Sequence, residues 1–207
     1  VLKEKILPKH IEGNLLTKAE GNPFYIEEWL ILLLKKWKGK DDIFENEEIL
    51  IPDNLNALVL SRIDLLEDPI KQVLQKASVI GAEFYENILS ELHSRVNEKN
   101  NLRSDLDELT RMEFIRKLLS QEKFYAFKHI ITRDVTYNTL LKSNRKILHG
   151  ITGEIIEEYF SHSIESFYYE LATHYDIAEN NDKAIEYLTL AADKAKKKKE
   201  DENAKLP

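Results

Sequence analysis

The feature that most constrains the fold is a single change of period in an otherwise helical pattern. Apolar residues recur at helical spacing along most of the 207 residues, except at 114–119 (FIRKLL) and 124–128 (FYAFK). These two runs are short, contain aromatic and β-branched residues, and are separated by the polar sequence SQEK, which is typical of a β-hairpin. The sequence therefore predicts a mainly α-helical chain with one two-stranded hairpin.

Glycine, proline and capping residues mark the helix boundaries. At Gly21-Asn22-Pro23 one helix ends at glycine, and the next begins with an asparagine cap and a proline. The middle of that second helix, residues 29–34 (WLILLL), is apolar on every side, which predicts burial between two layers. Further helices are predicted from 52, at 68–81, 85–93, 102–112, 135–141 and 145–160, and then as two amphipathic helices.

The order of these elements predicts the domain organisation. Three helices followed by a two-stranded ribbon is the order of a winged helix. We therefore predict a helical segment at residues 1–50 ending in an exposed acidic loop at 39–50, and a winged-helix domain with a linker helix at 51–145. Antiparallel helical pairs are predicted at 146–207.

The last two predicted helices carry the signature of a tetratricopeptide repeat. Its matching positions are Tyr168, Leu171, Ala172 and Tyr175 in the first helix and Ala184, Leu188 and Ala191 in the second. Ala184, Leu188 and Ala191 are the positions at which the two helices are expected to pack closely, whereas the terminal proline of the pattern is replaced by Lys196. Because one repeat cannot bury its own face, further repeats are expected after Pro207. The lysines at 194–199 are predicted to form a solvated helix end.

The amino-acid composition limits the cellular compartments and the binding partners that are expected for this chain. The net charge of −7 disfavours binding to nucleic acid and to anionic lipid. The absence of cysteine fits a reducing compartment, so a cytoplasmic location is expected. The longest apolar run, at 29–34, is far below the ~20 residues that cross a bilayer, so no membrane association is predicted. The only methionine is Met112, so the chain is expected to be a segment of a longer protein.

Motifs for catalysis are missing from the sequence. It contains no G-x-x-x-x-G-K-[ST] phosphate loop, no G-x-G-x-x-G and no nucleophile or zinc motif, so we predict no catalytic residues and no enzyme activity for this chain. The six histidines show no pair at helical ligand spacing, so no metal site is predicted. The adjacent carboxylates Glu27-Glu28 and Glu157-Glu158 are expected to be solvated.

Four segments resemble one family. Residues 19–28 (AEGNPFYIEE), 57–66 (ALVLSRIDLL), 74–84 (LQKASVIGAEF) and 127–141 (FKHIITRDVTYNTLL) are similar, in the same order, to blocks of that family. The family is that of the signal-transduction ATPases with numerous domains, particularly members fused to class III adenylate or guanylate cyclases or to helix-turn-helix regulators. The resemblance covers their C-terminal lid, winged-helix and tetratricopeptide portion.

The resemblance implies a regulatory, nucleotide-sensing function. The implied partners are an upstream ATPase core of the same chain, which holds ATP or ADP with Mg, and proteins that bind the tetratricopeptide-like region. Gly21 and Pro23 are implied to lie against the adenine, Asn22 between them to belong to the same nucleotide-binding element, and His129 to hold the terminal phosphate of ADP. Local signals leave other roles open, because Pro23 also suits a first helical position and His129, followed by Ile130 instead of aspartate, also suits a helix cap.

Two other functions remain open. The chain could be a scaffold that binds proteins only through its tetratricopeptide-like helices. It could also be a DNA-binding winged helix with residues 102–112 as recognition helix, but that helix carries more acidic than basic residues. A surplus of carboxylates disfavours entry into a groove lined by phosphates.

Overall fold

The computed structural model describes residues 9–37, 51–96, 101–118 and 123–204. The chain forms two compact units, Val1–Glu67 and Asp68–Pro207. The predicted division at 50/51 thus differs from the one in the structure, which falls at 67/68, and residues 146–207 share a unit with the sheet. The predicted acidic loop at 39–50 lies outside the described residues.

The first unit contains three described helices, α1 (Lys9–Ala19), α2 (Pro23–Trp37) and α3 (Leu55–Ile63). One cluster of buried residues joins them: Ile11, Leu15, Ala19, Tyr25, Trp29, Leu32, Leu33, Ile51 and Leu58. The spacing of four between Ile11, Leu15 and Ala19 places all three on the buried face of α1. Burial of α2 on every side is not observed, since Leu34 is 37% exposed.

A buried ion pair connects α2 to α3. The guanidinium of Arg62 donates to the carboxylate of Glu28, and the two side chains are 4% and 1% exposed. The expectation that Glu28 is solvated is therefore wrong. Adjacent carboxylates on a helix point in different directions, and here one of those directions leads into the core. Removing one partner of such a pair typically costs about 3–5 kcal/mol, because the other charge stays buried.

The second unit begins with a small sheet and its helices. These elements are α4 (Asp68–Ile80), β1 (Glu83–Tyr85), α5 (Glu86–Arg95), α6 (Leu102–Arg111), β2 (Ile115–Leu118) and β3 (Phe124–Phe127). The strands are antiparallel in the order β1-β3-β2. This order of helices and strands is that of a winged helix, and the mainly α-helical class with one hairpin is confirmed.

The sheet has a third strand that the sequence did not predict. β1 pairs with the other edge of β3, with Phe84 opposite Tyr125, so the predicted hairpin of β2 and β3 is extended to a three-stranded sheet. A strand of three residues, as β1 is, is too short to show the alternation of apolar and polar residues by which strands are predicted. What holds the strand is packing, because Phe84 is 1% exposed and its ring centroid lies 5.8 Å from that of Tyr125 and 6.1 Å from that of Phe127.

The rest of the second unit is helical. It comprises α7 (Ile130–Asn138), α8 (Lys142–Tyr159), a 3-10 helix (Ile164–Phe167), α9 (Tyr168–Ile177) and α10 (Asn181–Ala204). α8 contacts α4, α5 and α9, and α9 packs on α10. The α8–α9–α10 core contains Ile156, Leu171, Ala172, Tyr175, Ala184 and Tyr187.

Gly153 sets the distance between α8 and α9. A Cβ atom at this position would lie 2.9 Å from Cζ of Tyr175, closer than real contacts allow. The phenol ring of Tyr175, 2% exposed, therefore fills the place of a side chain on α8. The neighbouring Gly150 differs, because its added Cβ would make an ordinary 3.6 Å contact with Ala178.

We predict opposite effects for two alanine substitutions in α8. Gly153→Ala should destabilise the second unit by about 1–3 kcal/mol through overpacking against Tyr175. The matched variant Gly150→Ala should be stabilising by about 1 kcal/mol, because alanine favours the helix more than glycine does. Amide hydrogen exchange in α9 measures the effect in the second unit. Tryptophan fluorescence would report on the first unit instead, because both tryptophans, Trp29 and Trp37, lie in α2. Equal effects of the two substitutions would contradict the proposed close contact.

Candidate functional site

The Gly21-Asn22-Pro23 segment forms an exposed connection between α1 and α2. Gly21 has φ +78°, a value that favours glycine, and an added Cβ would meet nothing within 4 Å. The side chain of Asn22 accepts a hydrogen bond of 3.0 Å from the backbone N–H of Phe24, and Pro23 is the first helical residue. This geometry is compatible with both interpretations of Pro23. The residue occupies the first helical position of α2, and its exposed ring is also accessible to a nucleotide.

His129 stands at the junction between β3 and α7. It is the N-terminal capping residue of α7 by backbone geometry, and its carbonyl accepts a 3.1 Å hydrogen bond from Thr132. Its side chain is half-buried and makes no capping hydrogen bond. Asp134, four positions after Ile130, is bonded instead by Arg133 at 3.1 Å. The capping alternative therefore applies to the backbone of His129 and not to its imidazole.

The tetratricopeptide-like residues divide into buried and exposed positions. Leu171, Ala172, Tyr175 and Ala184 lie in one cluster, and Tyr168 packs against it. For Leu188 the expectation of close packing is wrong, because its side chain is 49% exposed. Tyr187 occupies the inward position instead, with its ring stacked 5.9 Å from Tyr175. Ala191 is partly exposed, one position after Leu190, which packs against the cluster.

A buried polar path, which we call the histidine relay, links α7, α8 and α9. It consists of Tyr137, His149, His174 and Glu170. The hydroxyl of Tyr137 lies 2.9 Å from Nε2 of His149, and Nδ1 of His149 lies 2.8 Å from Nδ1 of His174. Nε2 of His174 faces the Glu170 carboxylate at 3.9 Å. Both imidazoles are 3% exposed.

The short contact between the two Nδ1 atoms limits where protons can reside. Two ring nitrogens 2.8 Å apart cannot both carry hydrogen, so one donates and the other accepts. The Glu170 carboxylate favours N–H at Nε2 of His174, which leaves Nδ1 of His174 as the acceptor. His149 then donates from Nδ1, and its Nε2 accepts from the Tyr137 hydroxyl. All hydrogen bonds of the histidine relay thus run in one direction.

Burial and two arginines keep the two imidazoles of the histidine relay uncharged. Desolvation lowers the pKa of His149 to about 4, and the charges of Arg133 and Arg145 lower it further in the same direction. Desolvation also lowers the pKa of His174 to about 3, with contributions from His149 and Arg133. The two guanidinium groups lie over the Tyr137 ring, 4.9 and 4.4 Å from its centroid. Arg133 also donates to the Ser78 carbonyl at 2.8 Å, which connects α7 to α4.

A second polar cluster holds α8 against α10. The Glu157 carboxylate accepts from Nζ of Lys183 at 2.6 and 2.9 Å and from the Tyr187 hydroxyl at 2.7 Å. Burial alone would raise the pKa of Glu157, but hydrogen bonds from Lys183, Tyr187 and Tyr175 lower it below its usual value. The expectation that Glu157 is solvated is therefore wrong, although its neighbour Glu158 is 61% exposed.

The sequence contained a weak signal for the histidine relay. Its histidines are 25 positions apart, so the search for ligands at helical spacing missed them. Each of them, however, lies at helical spacing from a buried apolar residue, His149 seven positions before Ile156 and His174 three positions after Leu171. A histidine on the apolar stripe of a helix indicates a buried imidazole that needs a partner.

The described parts of the chain contain neither a cluster of potential metal ligands nor a membrane-spanning helix. Among residues 9–37, 51–96, 101–118 and 123–204, no three histidine or acidic side chains come together as potential metal ligands. Within the same ranges, no helix is both long and apolar enough to cross a membrane.

The fold is that of a mainly α-helical chain in which a winged-helix arrangement is followed by an antiparallel helical pair. Comparison with protein-family models, with curated proteins and with solved structures gives no match to this chain.

The lowered histidine pKa values predict a loss of stability in mild acid. Above about pH 6.5 both the folded and unfolded chains hold neutral imidazoles. Below it the unfolded chain takes up protons that the folded histidine relay does not bind until the pH approaches 4. The unfolding free energy of the second unit should therefore fall by up to about 1.4 kcal/mol per pH unit for each histidine. Hydrogen exchange in α9, corrected for the intrinsic pH dependence, measures this slope.

The matched variants are His174→Gln and Thr173→Gln. The first removes one titrating group and should flatten the slope between pH 6.5 and 5, whereas the second alters the exposed neighbouring position and should leave it unchanged. The readout is the slope, so any constant destabilisation by the buried glutamine does not interfere. The same slope in wild type and His174→Gln would contradict a neutral His174 in the folded chain.

Proposed function

We propose that this chain is the regulatory part of a multidomain signal-transduction ATPase, in which the nucleotide state and a protein input together control an output such as a nucleotide cyclase or a transcription regulator. The observation that carries the proposal is the direct connection of the winged helix to the helical pair. α7 and α8 follow β3 without a long linker, and the histidine relay binds them to α9. A displacement of α9 and α10 is therefore transmitted to the winged helix through helices that pack directly on one another.

The proposed nucleotide contacts are Gly21, Asn22 and Pro23 in the first unit and His129 in the second. The first three are exposed on a turn that is stabilised locally, because the side chain of Asn22 accepts a hydrogen bond from the backbone N–H of Phe24. His129 follows a strand whose position is fixed by pairing on both sides. A ring N–H of an imidazole is a suitable donor to an ADP phosphate. ATP or ADP with Mg would be held mainly by an upstream ATPase core, and we propose no catalytic residue and no ATP hydrolysis by this chain alone.

The alternative is a scaffold that acts only by binding proteins in the cytoplasm. Specific support comes from large apolar side chains that are exposed on α9 and α10. Tyr169 is 74% exposed, Ile185 64% and Leu188 49%. Exposed apolar residues on helical pairs are common binding surfaces, and they also fit packing by a following repeat.

A DNA-binding role finds less support. On α6 two basic residues, Arg103 and Arg111, accompany three acidic ones, Asp105, Asp107 and Glu108. Arg111 is further engaged by Glu108 through hydrogen bonds of 2.5 and 2.8 Å. The helix that would enter the major groove thus offers few free donors for bases or phosphates.

We predict that His129→Ala speeds ADP release in a protein that joins this chain to the proposed ATPase core. Loss of a charge-assisted contact worth about 1.5–3 kcal/mol should increase the release rate about 10- to 100-fold and raise the output without input. Release of a fluorescent ADP analogue measures the effect. His162→Ala, at an exposed position, is the matched control.

The same experiment separates the two proposals. An unchanged release rate in His129→Ala would contradict the nucleotide contact. If the output responds instead to Ile185→Glu or Leu188→Glu, which place a charge on the exposed apolar face, the scaffold function is the better account. Absence of a phosphate-binding loop from the sequence encoded upstream of Val1 would contradict the proposal as a whole.

We also predict no specific binding to duplex DNA. The carboxylates of α6 and the net charge of −7 should keep the dissociation constant far above the ~10⁻⁸ M of specific readers at physiological salt. Fluorescence anisotropy with a random-sequence duplex library measures it. Selection of one sequence with nanomolar affinity would restore the winged helix as a DNA reader.

A further inference from the structure

α10 carries a second apolar stripe in addition to the one that packs against α9. The inner stripe contributes Ala184 and Tyr187 to the buried core. The residues of the second stripe follow one another at spacings of three, four and three, which places them on one face of the helix and is the spacing of a helix–helix seam. We call this second set the outer stripe, and its members are Ile185, Leu188, Ala192 and Ala195. All four are exposed, Ile185 to 64% and Leu188 to 49%.

The sizes of these side chains favour one kind of partner. The two bulky residues stand at one end of the outer stripe and the two alanines at the other. When two such helices pack antiparallel with Ile185 opposite Ala195 of the second copy, the same register places Leu188 opposite Ala192. Each bulky side chain then packs against a small one, which lets the two helices approach evenly. A parallel pair would instead oppose bulky to bulky and alanine to alanine.

Charges beside the outer stripe favour the same orientation. Asp182 in the first turn of α10 and Lys196 lie two heptads apart, so they flank the outer stripe on the same side. Both are exposed, and neither forms an ion pair within the described part of the chain. In the antiparallel register, Asp182 of each copy lies beside Lys196 of the other, whereas a parallel pair would bring like charges together. Lys194 is already engaged, since it donates to the Glu165 carbonyl at 2.7 Å.

We propose that two copies of this chain associate through the outer stripes of α10 in an antiparallel, two-fold symmetric pair. The interface covers Ile185 and Leu188 of both copies and contains two ion pairs between Asp182 and Lys196. Such an interface uses the same surface of each copy and closes on itself, so it gives a dimer and not a filament. Its small size makes the association weak and reversible. The proposal does not rest on the nucleotide contacts.

The dimer would compete with any other partner of the same face. A protein that binds the outer stripe has to displace the second copy, so the two kinds of binding exclude each other. Binding of that protein would therefore shift the chain from dimer to monomer by mass action. In a regulatory protein, this exchange is a direct way for a protein input to separate two copies.

The first test measures self-association of the whole chain. Analytical ultracentrifugation from micromolar to millimolar concentrations, without nucleotide, should show a reversible monomer–dimer equilibrium. Ile185→Glu and Leu188→Glu should weaken it at least tenfold, because each places two charges in the apolar seam. Ile147→Glu is the matched control, since Ile147 on α8 is 59% exposed and lies outside the outer stripe. All three positions are exposed, so the variants should fold.

Charge reversal tests the ion pairs. Asp182→Lys and Lys196→Glu should each weaken self-association about three- to tenfold, because each converts both attractive pairs into repulsive ones. An equimolar mixture of the two variants should restore the affinity, since the mixed dimer again has opposite charges at both ends. Asp176→Lys, at an exposed position of α9, should leave self-association unchanged.

Cross-linking tests the orientation. The chain has no cysteine, so introduced thiols are unique. A mixture of Asp182→Cys and Lys196→Cys chains should be joined by a short bismaleimide, whereas neither variant alone should be. Two copies of the same position lie about 21 Å apart along the axis of an antiparallel pair, because an α-helix rises about 1.5 Å per residue.

Three results would overturn the proposal. One is a chain that stays monomeric at all concentrations, which would leave the outer stripe to a following helical repeat or to another protein. Another is self-association that Ile147→Glu weakens as much as Ile185→Glu does. The third is cross-linking of Asp182→Cys alone, which would indicate a parallel pair. None of these results bears on the release of ADP, so the nucleotide contacts are tested separately.

Discussion

The second unit depends on the burial of one face of α8 against three other helices. α8 contacts α4 and α5 of the winged helix on one side and α9 on the other. Its buried residues Leu148, His149, Thr152, Ile155 and Ile156 follow helical spacing, and Gly153 leaves room for the Tyr175 ring. Because the same stripe serves both neighbours, the winged helix and the helical pair cannot loosen independently. The absence of a boundary between them follows from this shared core.

Polar groups give that packing its geometry. The apolar contacts of α8 supply non-directional attraction, which tolerates small slides and rotations. The histidine relay and the Glu157–Lys183–Tyr187 cluster require particular distances, and they hold α8 to α7, α9 and α10 at opposite ends of its buried stripe. Partly satisfied networks of this kind are costly, so a displaced α8 is disfavoured by lost hydrogen bonds as well as lost contact. Such an interface favours two discrete positions of α8 over a continuous range of positions.

Local patterns in the sequence predicted most of the fold, and the failures have physical reasons. The glycine and proline signals at Gly21–Pro23 and the aromatic runs of the hairpin identified their elements correctly, because turns and strand pairs depend on neighbouring residues. β1 was missed because its stability comes from Phe84 contacting residues some forty positions away. Glu28 and Glu157 were expected in solvent because the sequence does not show Arg62 or Lys183 near them. The histidine relay was missed for the same reason, and the exposure of Leu188 depends on which face of α10 meets α9.

The direct contact between the two Nδ1 atoms also restricts how this chain can evolve. In a pair in which one nitrogen donates and the other accepts, a single replacement is tolerated only if the new side chain is a donor or acceptor of similar reach, with Tyr137 positioned to complete the pair. A single change to an apolar residue leaves a buried nitrogen without water or partner, whereas two simultaneous changes to apolar residues of matching volume leave none. Positions 149 and 174 should therefore covary among homologues, with polar pairs and apolar pairs both accepted and mixed pairs rare. Such covariation across 25 residues would mark the junction between the winged helix and the helical pair in sequences that share no other recognisable motif.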